Sequence, residues 1–207
     1  MSNSFFMSIF SSKNSVFSKL IILIVIITFF ICLLFIPFFN KSLSMTETPT
    51  DADSFIISND EFVWPIPGYT SVTSPFGKRY SPTAGASSYH KGIDIGAPKG
   101  TSLYAVCDGE ITFAGFLGGG GYTITLTSGL TKFTYCHVSP TYIVHIGDLI
   151  KKGQLIGFVG PKNVYGVPGN TYKDSQGNPT NGATTGPHLH FGVRKNDKYI
   201  NPLSLFE

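Results

Sequence analysis

The sequence predicts an all-β domain, a compact antiparallel two-layer sheet, preceded by one N-terminal transmembrane helix. Three observations carry this expectation. Charged residues make up only 13% of the 207 residues, while Gly and Pro number 23 and 13, a balance that suits short strands joined by turns better than a helical bundle. From residue 101 onward, short runs of alternating apolar and polar residues are broken by turn signals. Near the N-terminus, residues 20–39 form a run of twenty residues without a charge.

That run makes about 30 Å of helix at ~1.5 Å per residue, the thickness of a hydrocarbon core. Lys13 and Lys19 precede it with no acid; Lys41 and then Glu47, Asp51, Asp53, Asp60 and Glu61 follow it. Positive charge stays on the cytoplasmic side, so residues 1–19 are expected inside and everything after the span outside. A cleaved signal peptide is the competing reading. Its apolar core is shorter, about 7–15 residues, although Ser42-Leu43-Ser44 is a small-x-small triplet. A buried helix of a soluble domain fits poorly, because no face of the run is polar. The expected protein is thus a single-pass protein of the cell membrane.

Residues 40–61 are rich in Ser, Thr, Asp and Pro and read as an extracytoplasmic stalk. The domain spans residues 62–207. Strands are expected over residues 101–106, 110–116, 122–127, 131–137, 155–159 and 188–193, with a hairpin at Ser128-Gly129 joining the third and fourth. No amphipathic helix or internal repeat stands out. Residues 160–186 hold few apolar side chains and several turn pairs, including Pro168-Gly169 and Asn181-Gly182. A loop of that length in a compact domain is functional or disordered, and this one runs directly into the 188–193 strand.

Cysteine excludes one site type: no C-x-x-C is present, so a thiolate zinc site is not expected. Cys107 and Cys136 fit either an extracellular disulfide or two small buried residues. From Phe62 onward there are 12 Lys/Arg against 7 Asp/Glu, a mild excess that suits a polyanionic surface or an ordinary solvated face. No basic run or aromatic platform indicates nucleic acid, and nothing identifies a protein partner.

Histidine carries the chemistry. Of five in the chain, His188 and His190 flank Leu189, so in a strand both point to one face about 7 Å apart. His90 and Asp94 lie four apart around Gly92. A flat strand would hold them about 13 Å apart, so a shared metal requires a bend at Gly92. His90, Asp94 and one of the pair make a zinc set, and three protein ligands leave a fourth position for water, the catalytic arrangement. The other histidine of the pair and His137 are then left to handle protons and the oxyanion. Tyr135, expected on the same strand face as His137, is a candidate substrate contact. His145 has no partner in sequence and reads as structural or exposed.

The phrases His90-x-Gly92-x-Asp94, Tyr135-Cys-His137-Val-Ser139 and Thr185-Gly-Pro-His188-Leu-His190-Phe191 resemble the metal and catalytic motifs of lysostaphin/LytM-type peptidases. Ser74-Pro-Phe-Gly77-Lys-Arg79, Lys152-Gly-Gln-Leu-Ile-Gly157 and Asn201-Pro202 resemble their flanking phrases, and the likeness runs from about Trp64 to Leu203. The resemblance implies a zinc metalloendopeptidase that cleaves peptides of bacterial peptidoglycan. It implies one zinc per chain on His90, Asp94 and His190, with His188 as general acid/base. His137 would stabilise the tetrahedral intermediate or relay a proton. The alternative is a non-catalytic wall-binding or scaffold module that activates another hydrolase or joins a spore-formation complex; such relatives usually lack a metal residue, and none is missing here.

Overall fold

The computed structural model describes residues 61–207, together with Lys19 and residues 22–27. Residues 22–27 are helical. They lie inside the expected span 20–39, the rest of which falls outside the described residues, as do the expected tail and stalk apart from Lys19 and Glu61. Among the described residues no helix is long and apolar enough to cross a membrane. The chain divides into residues 1–50 and residues 51–207, and every described strand belongs to the second unit.

Twelve short strands follow one another: β1 (Val72–Ser74), β2 (Gly77–Lys78), β3 (Tyr89–His90), β4 (Ile93–Gly96), β5 (Ser102–Tyr104), β6 (Gly109–Phe116), β7 (Tyr122–Ser128), β8 (Thr131–Cys136), β9 (Leu149–Ile150), β10 (Leu155–Phe158), β11 (His188–Lys195) and β12 (Lys198–Ile200). The main sheet has the order β1-β4-β11-β8-β7-β6-β9, with β12 paired to β11. Its pairings are antiparallel throughout, and β5–β10 and β2–β3 form two further antiparallel pairs. The expected all-β, antiparallel architecture is what the domain adopts. The β11–β12 hairpin turns through Asn196 and Asp197, both at positive φ (49° and 60°), the left-handed geometry that two-residue hairpins demand and Asn and Asp tolerate.

Alternation assigns the two faces of the main sheet. Ile93, Ile95, Ile124, Leu126, Phe133, Tyr135, Leu189, Phe191 and Val193 point inward and are no more than 1% exposed. Leu103 from β5 and Ile156 from β10 join the same core cluster. Gly157 brings β10 so close that a Cβ there would lie 3.0 Å from Ile124 Cδ1, so the small sheet forms the second layer. The opposite face carries Asp94, His188, His190, Lys132, Thr134, Cys136 and Arg194, and these line an open groove of about 920 Å³.

The structure changes two local expectations. The strand expected over residues 131–137 stops at Cys136. His137 takes φ 58°, donates its N–H to Gly120 O and accepts from Gly160 N–H through its carbonyl (both 2.8 Å). That left-handed residue flips the alternation, so His137 joins Cys136 on the groove instead of sharing a face with Tyr135. Tyr135 is therefore no substrate contact. It is fully buried; its hydroxyl donates to Tyr104 O and accepts from Val106 N–H, each at 3.1 Å. Cys107 and Cys136 are buried and unbridged. Burial pushes their thiols up to about 11 and about 12 respectively, so both stay protonated at neutral pH.

Candidate active site

Three adjacent strands set the site. In register, His190 of β11 lies between Asp94 of β4 and Cys136 of β8. His190 and Asp94 face the groove side by side, which brings His190 Nδ1 to 2.9 Å from Asp94 Oδ1. His90 comes from β3, which pairs with β2 rather than with the main sheet. The chain bends at Lys91 and Gly92 before β4 begins, and His90 Nε2 then reaches 3.1 Å from Asp94 Oδ1 and 2.9 Å from His190 Nδ1. The expected bend is present, and the glycine is needed for space. A Cβ at Gly92 would collide with Phe191 O and come within 2.9 Å of the His190 ring.

His90 Nε2, Asp94 Oδ1 and His190 Nδ1 thus form a near-equilateral triangle of lone-pair donors, the one grouping among the described residues that could hold a metal ion. Tetrahedral zinc with ligands at ~2.0–2.1 Å separates them by about 3.3 Å, close to the edges of this triangle, and two nitrogens with one carboxylate oxygen suit zinc chemically. The residues therefore fit one zinc ion. Protonation favours it as well. Burial works against the Asp94 carboxylate, but the imidazoles of His188, His190 and His90 beside it outweigh burial and hold the group well below the usual carboxylate range. Burial likewise lowers His190, more than the neighbouring Asp94 raises it. Both ligands are in the deprotonated forms that metals require.

The imidazoles are aimed by backbone carbonyls. His90 Nδ1 donates to Pro75 O at 2.9 Å, His188 Nδ1 to Gly186 O at 2.9 Å, and His137 Nδ1 to Asn181 O at 2.7 Å. A carbonyl only accepts, so Nδ1 carries the proton and Nε2 of each ring is turned toward the centre. His188 Nε2 lies 3.5 Å from Asp94 Oδ1, and the His137 and His188 ring centroids are 4.7 Å apart. Burial first, then the neighbouring His188 and His190 imidazoles, which make a further positive charge unfavourable, lower His137 to about 3, so it is a neutral acceptor at physiological pH. All four groove histidines named from the sequence thus gather around Asp94; His145 lies apart, 81% exposed in its side chain.

Sequence reasoning assigned no role to three residues that hold this arrangement. Arg79 Nη1 donates to Asp94 Oδ2 at 2.9 Å and to Ser74 Oγ at 2.6 Å, which leaves Oδ1 for the triangle. Asn181, fully buried, accepts from Tyr122 N–H at 2.7 Å and donates to Val138 O at 3.0 Å through its amide, so its carbonyl is fixed under His137. Thr184 Oγ1 donates to Gly186 O at 2.7 Å, steadying the carbonyl that orients His188. Arg79 stood within a recognisable phrase, whereas Asn181 looked like an ordinary Asn-Gly turn.

Comparison with known proteins agrees with this geometry. The chain is 35% identical over 138 residues to the "DD-carboxypeptidase/endopeptidase Mpg" of Neisseria meningitidis, a match over 66% of this chain and 27% of that protein. The chain therefore spans only about a quarter of the length of that relative. Among solved structures, the catalytic domain of the antimicrobial peptidase lysostaphin from Staphylococcus simulans superposes with a TM-score of 0.52 at 29% identity, covering 67% of this chain and 92% of that one. A zinc-containing peptidase from Vibrio cholerae superposes equally well, with a TM-score of 0.52 at 28% identity over 67% of this chain and 37% of that one. The signature of Peptidase family M23 matches residues 88–202, a stretch that contains the whole triangle together with His137 and His188, and the chain belongs to that family.

Proposed function

We propose that this protein is a zinc-dependent metalloendopeptidase that hydrolyses peptide cross-links or stem peptides of bacterial peptidoglycan at the outer face of the cell membrane. The convergence of His90 Nε2, Asp94 Oδ1 and His190 Nδ1 within about 3 Å of one another, under two further histidines, carries this reading. The relatives named for DD-endopeptidase activity and for lysostaphin support the substrate class. Residues 20–39 would anchor the chain with residues 1–19 in the cytoplasm, and residues 40–61 would act as the stalk for the domain 62–207. An uncharged run of twenty residues with lysines on its N-terminal side supports that arrangement.

Held by these ligands, zinc supplies Lewis-acid polarisation of the scissile carbonyl and acidifies water. The protein's own groups do the remainder. His188, with Nδ1–H fixed on Gly186 and Nε2 facing the centre, takes the proton of the attacking water at Nε2 and returns it to the departing amine. His137 is neutral with Nδ1–H committed to Asn181 O, so its Nε2 can accept but not donate. That favours proton relay over donation to an oxyanion for this residue. Arg79 holds Asp94 Oδ2 and so keeps the carboxylate oriented.

Incubating the purified full chain with defined cross-linked muropeptides and weighing the products tests the proposal. Close to one zinc per chain, two product masses summing to substrate plus water, and loss of both on chelation are expected. Intact muropeptides at full zinc loading would overturn it.

A further inference from the structure

The groove is electrically lopsided about the donor triangle. Along β11 the groove-facing positions are His188, His190, Gly192 and Arg194, spaced two residues apart, so Arg194 sits about 13 Å from His190 along the strand. Arg194 is directly opposite Lys132 on β8 and opposite Tyr199 on β12. Lys91 Nζ lies 5.0 Å from the centre of the Tyr199 ring, and all four residues line the groove. Three cations therefore crowd one end of the cleft. Like charges directly opposite on a β ladder repel and destabilise it, so a purely structural row would place an acid between them. Of the residues lining the groove only Asp94 is acidic, and it is committed to Arg79 and the histidines. Among the described residues Lys132 and Lys91 have no carboxylate partner, and Arg194 has Asp197 alone, 3.6 Å away and 87% exposed, a screened pair of small effect.

The opposite end, beyond His188, differs in kind. Gly85, Gly119 and Ala183 line it. They are drawn together: Ala183 N–H donates to Gly119 O at 2.8 Å, and Tyr172 lies against both Gly85 and Gly119. These three lining positions are uncharged and present little or no side chain to the groove.

We propose that Lys132, Arg194 and Lys91 form a carboxylate-binding subsite that selects peptides bearing a free carboxylate about four residues from the scissile bond, the other side of which is small and uncharged. The residue count follows from the distance along β11 and the ~3.3–3.6 Å advance of an extended peptide per residue. The inference rests on the peptidase reading above and names which cross-links that site prefers. Tyr199 packs against the two flanking cations and holds them at the rim, where a planar guanidinium can meet a carboxylate bidentately.

The test uses the full chain and pairs of synthetic cross-linked peptides that differ only in whether one carboxyl is free or amidated. For the wild type the free acid should show about tenfold higher kcat/KM, carried by KM, the scale of one charge-assisted hydrogen bond. In Lys132→Gln/Arg194→Gln the acid-to-amide ratio should fall to near one, and in Arg194→Lys it should stay intermediate. An acid-to-amide ratio near one in the wild type, or a full preference retained by the double variant, would overturn the subsite. Absence of hydrolysis of either form at full zinc loading would count against the peptidase reading alone. The subsite is then decided by anisotropy of the same labelled peptides: about tenfold tighter binding of the acid supports it, and equal Kd values overturn it.

Discussion

Strands β8 and β11 show two surfaces built from the same backbone. Inward, Phe133, Tyr135, Leu189, Phe191 and Val193 make a dry aromatic and aliphatic layer, and the Phe133 and Phe191 rings stack at 6.5 Å. Outward, Lys132, Thr134, Cys136, His188, His190 and Arg194 line the groove. The inner face obeys strict alternation and needs nothing else. The outer face gains its chemistry where alternation fails, at the bend of Lys91 and Gly92 and at the left-handed His137. Stability resides in the regular inner layer, while the site takes Asp94, His188 and His190 from regular strands and is completed by His90 and His137 at the two irregularities.

That contrast breaks most sharply at the ligands. His190→Ala or Asp94→Ala should lose stoichiometric zinc and reduce hydrolysis beyond about 10⁴-fold, given the several kcal/mol a metal contributes to the transition state. His188→Ala should keep zinc and lose about 10²–10⁴-fold in rate, the usual share of general acid–base transfer. Metal analysis alongside kinetics separates the two, and zinc lost from His188→Ala but kept in His190→Ala would reverse their roles. On the inner face, Phe133→Ala should cost about 3–5 kcal/mol, read by denaturant unfolding, while the folded fraction still binds one zinc per chain.

Smaller effects sharpen the comparison at the irregularities. Gly92→Ala should cost about 1–3 kcal/mol through overpacking and weaken zinc binding together with stability, because the new methyl meets both Phe191 O and the His190 ring. Arg79→Gln should lower zinc affinity about 10–100-fold with little change in unfolding, as measured by competition with a chelating dye. The mildest test lies in the long loop. Burial opposes ionisation of Asp174, but Asn163, the Asn178 and Gln176 N–H groups and Lys162 together hold it down at about 2. A carboxylate lowered on folding stabilises above its ordinary pKa, and that contribution fades as pH falls from about 4 to about 2. The gap in melting temperature between wild type and Asp174→Asn should therefore be widest at neutral pH and close across that window.

Much of this was legible in residue order. The alternation of residues 122–127 and 131–136 marked a hairpin that forms in register, and the i, i+2 spacing of His188 and His190 placed both on the groove. The need for a bend between His90 and Asp94 could be argued from strand geometry alone. What stayed hidden depends on contacts between remote segments. Asn181 reaches Tyr122 across 59 positions and Val138 across 43, and no local pattern separates it from any other turn asparagine. Parity counted through His137 puts Tyr135 on the groove, whereas the positive φ of His137 shifts parity by one and leaves Tyr135 in the core. The basic end of the groove was invisible because Lys91, Lys132 and Arg194 are scattered in sequence and meet only through strand pairing.

The carbonyls of Pro75, Asn181 and Gly186 come from two connecting segments, the first between β1 and β2 and the other two between β10 and β11, yet each steers one imidazole. Tension in either of those segments becomes a rotation of a ring. Gly186 also borders the cleft directly, so the surface that a peptide presses on is mechanically geared to the proton-handling nitrogen behind it. Any occupant that displaced this rim would move the Gly186 carbonyl on which His188 Nδ1–H rests, and with it the direction of Nε2.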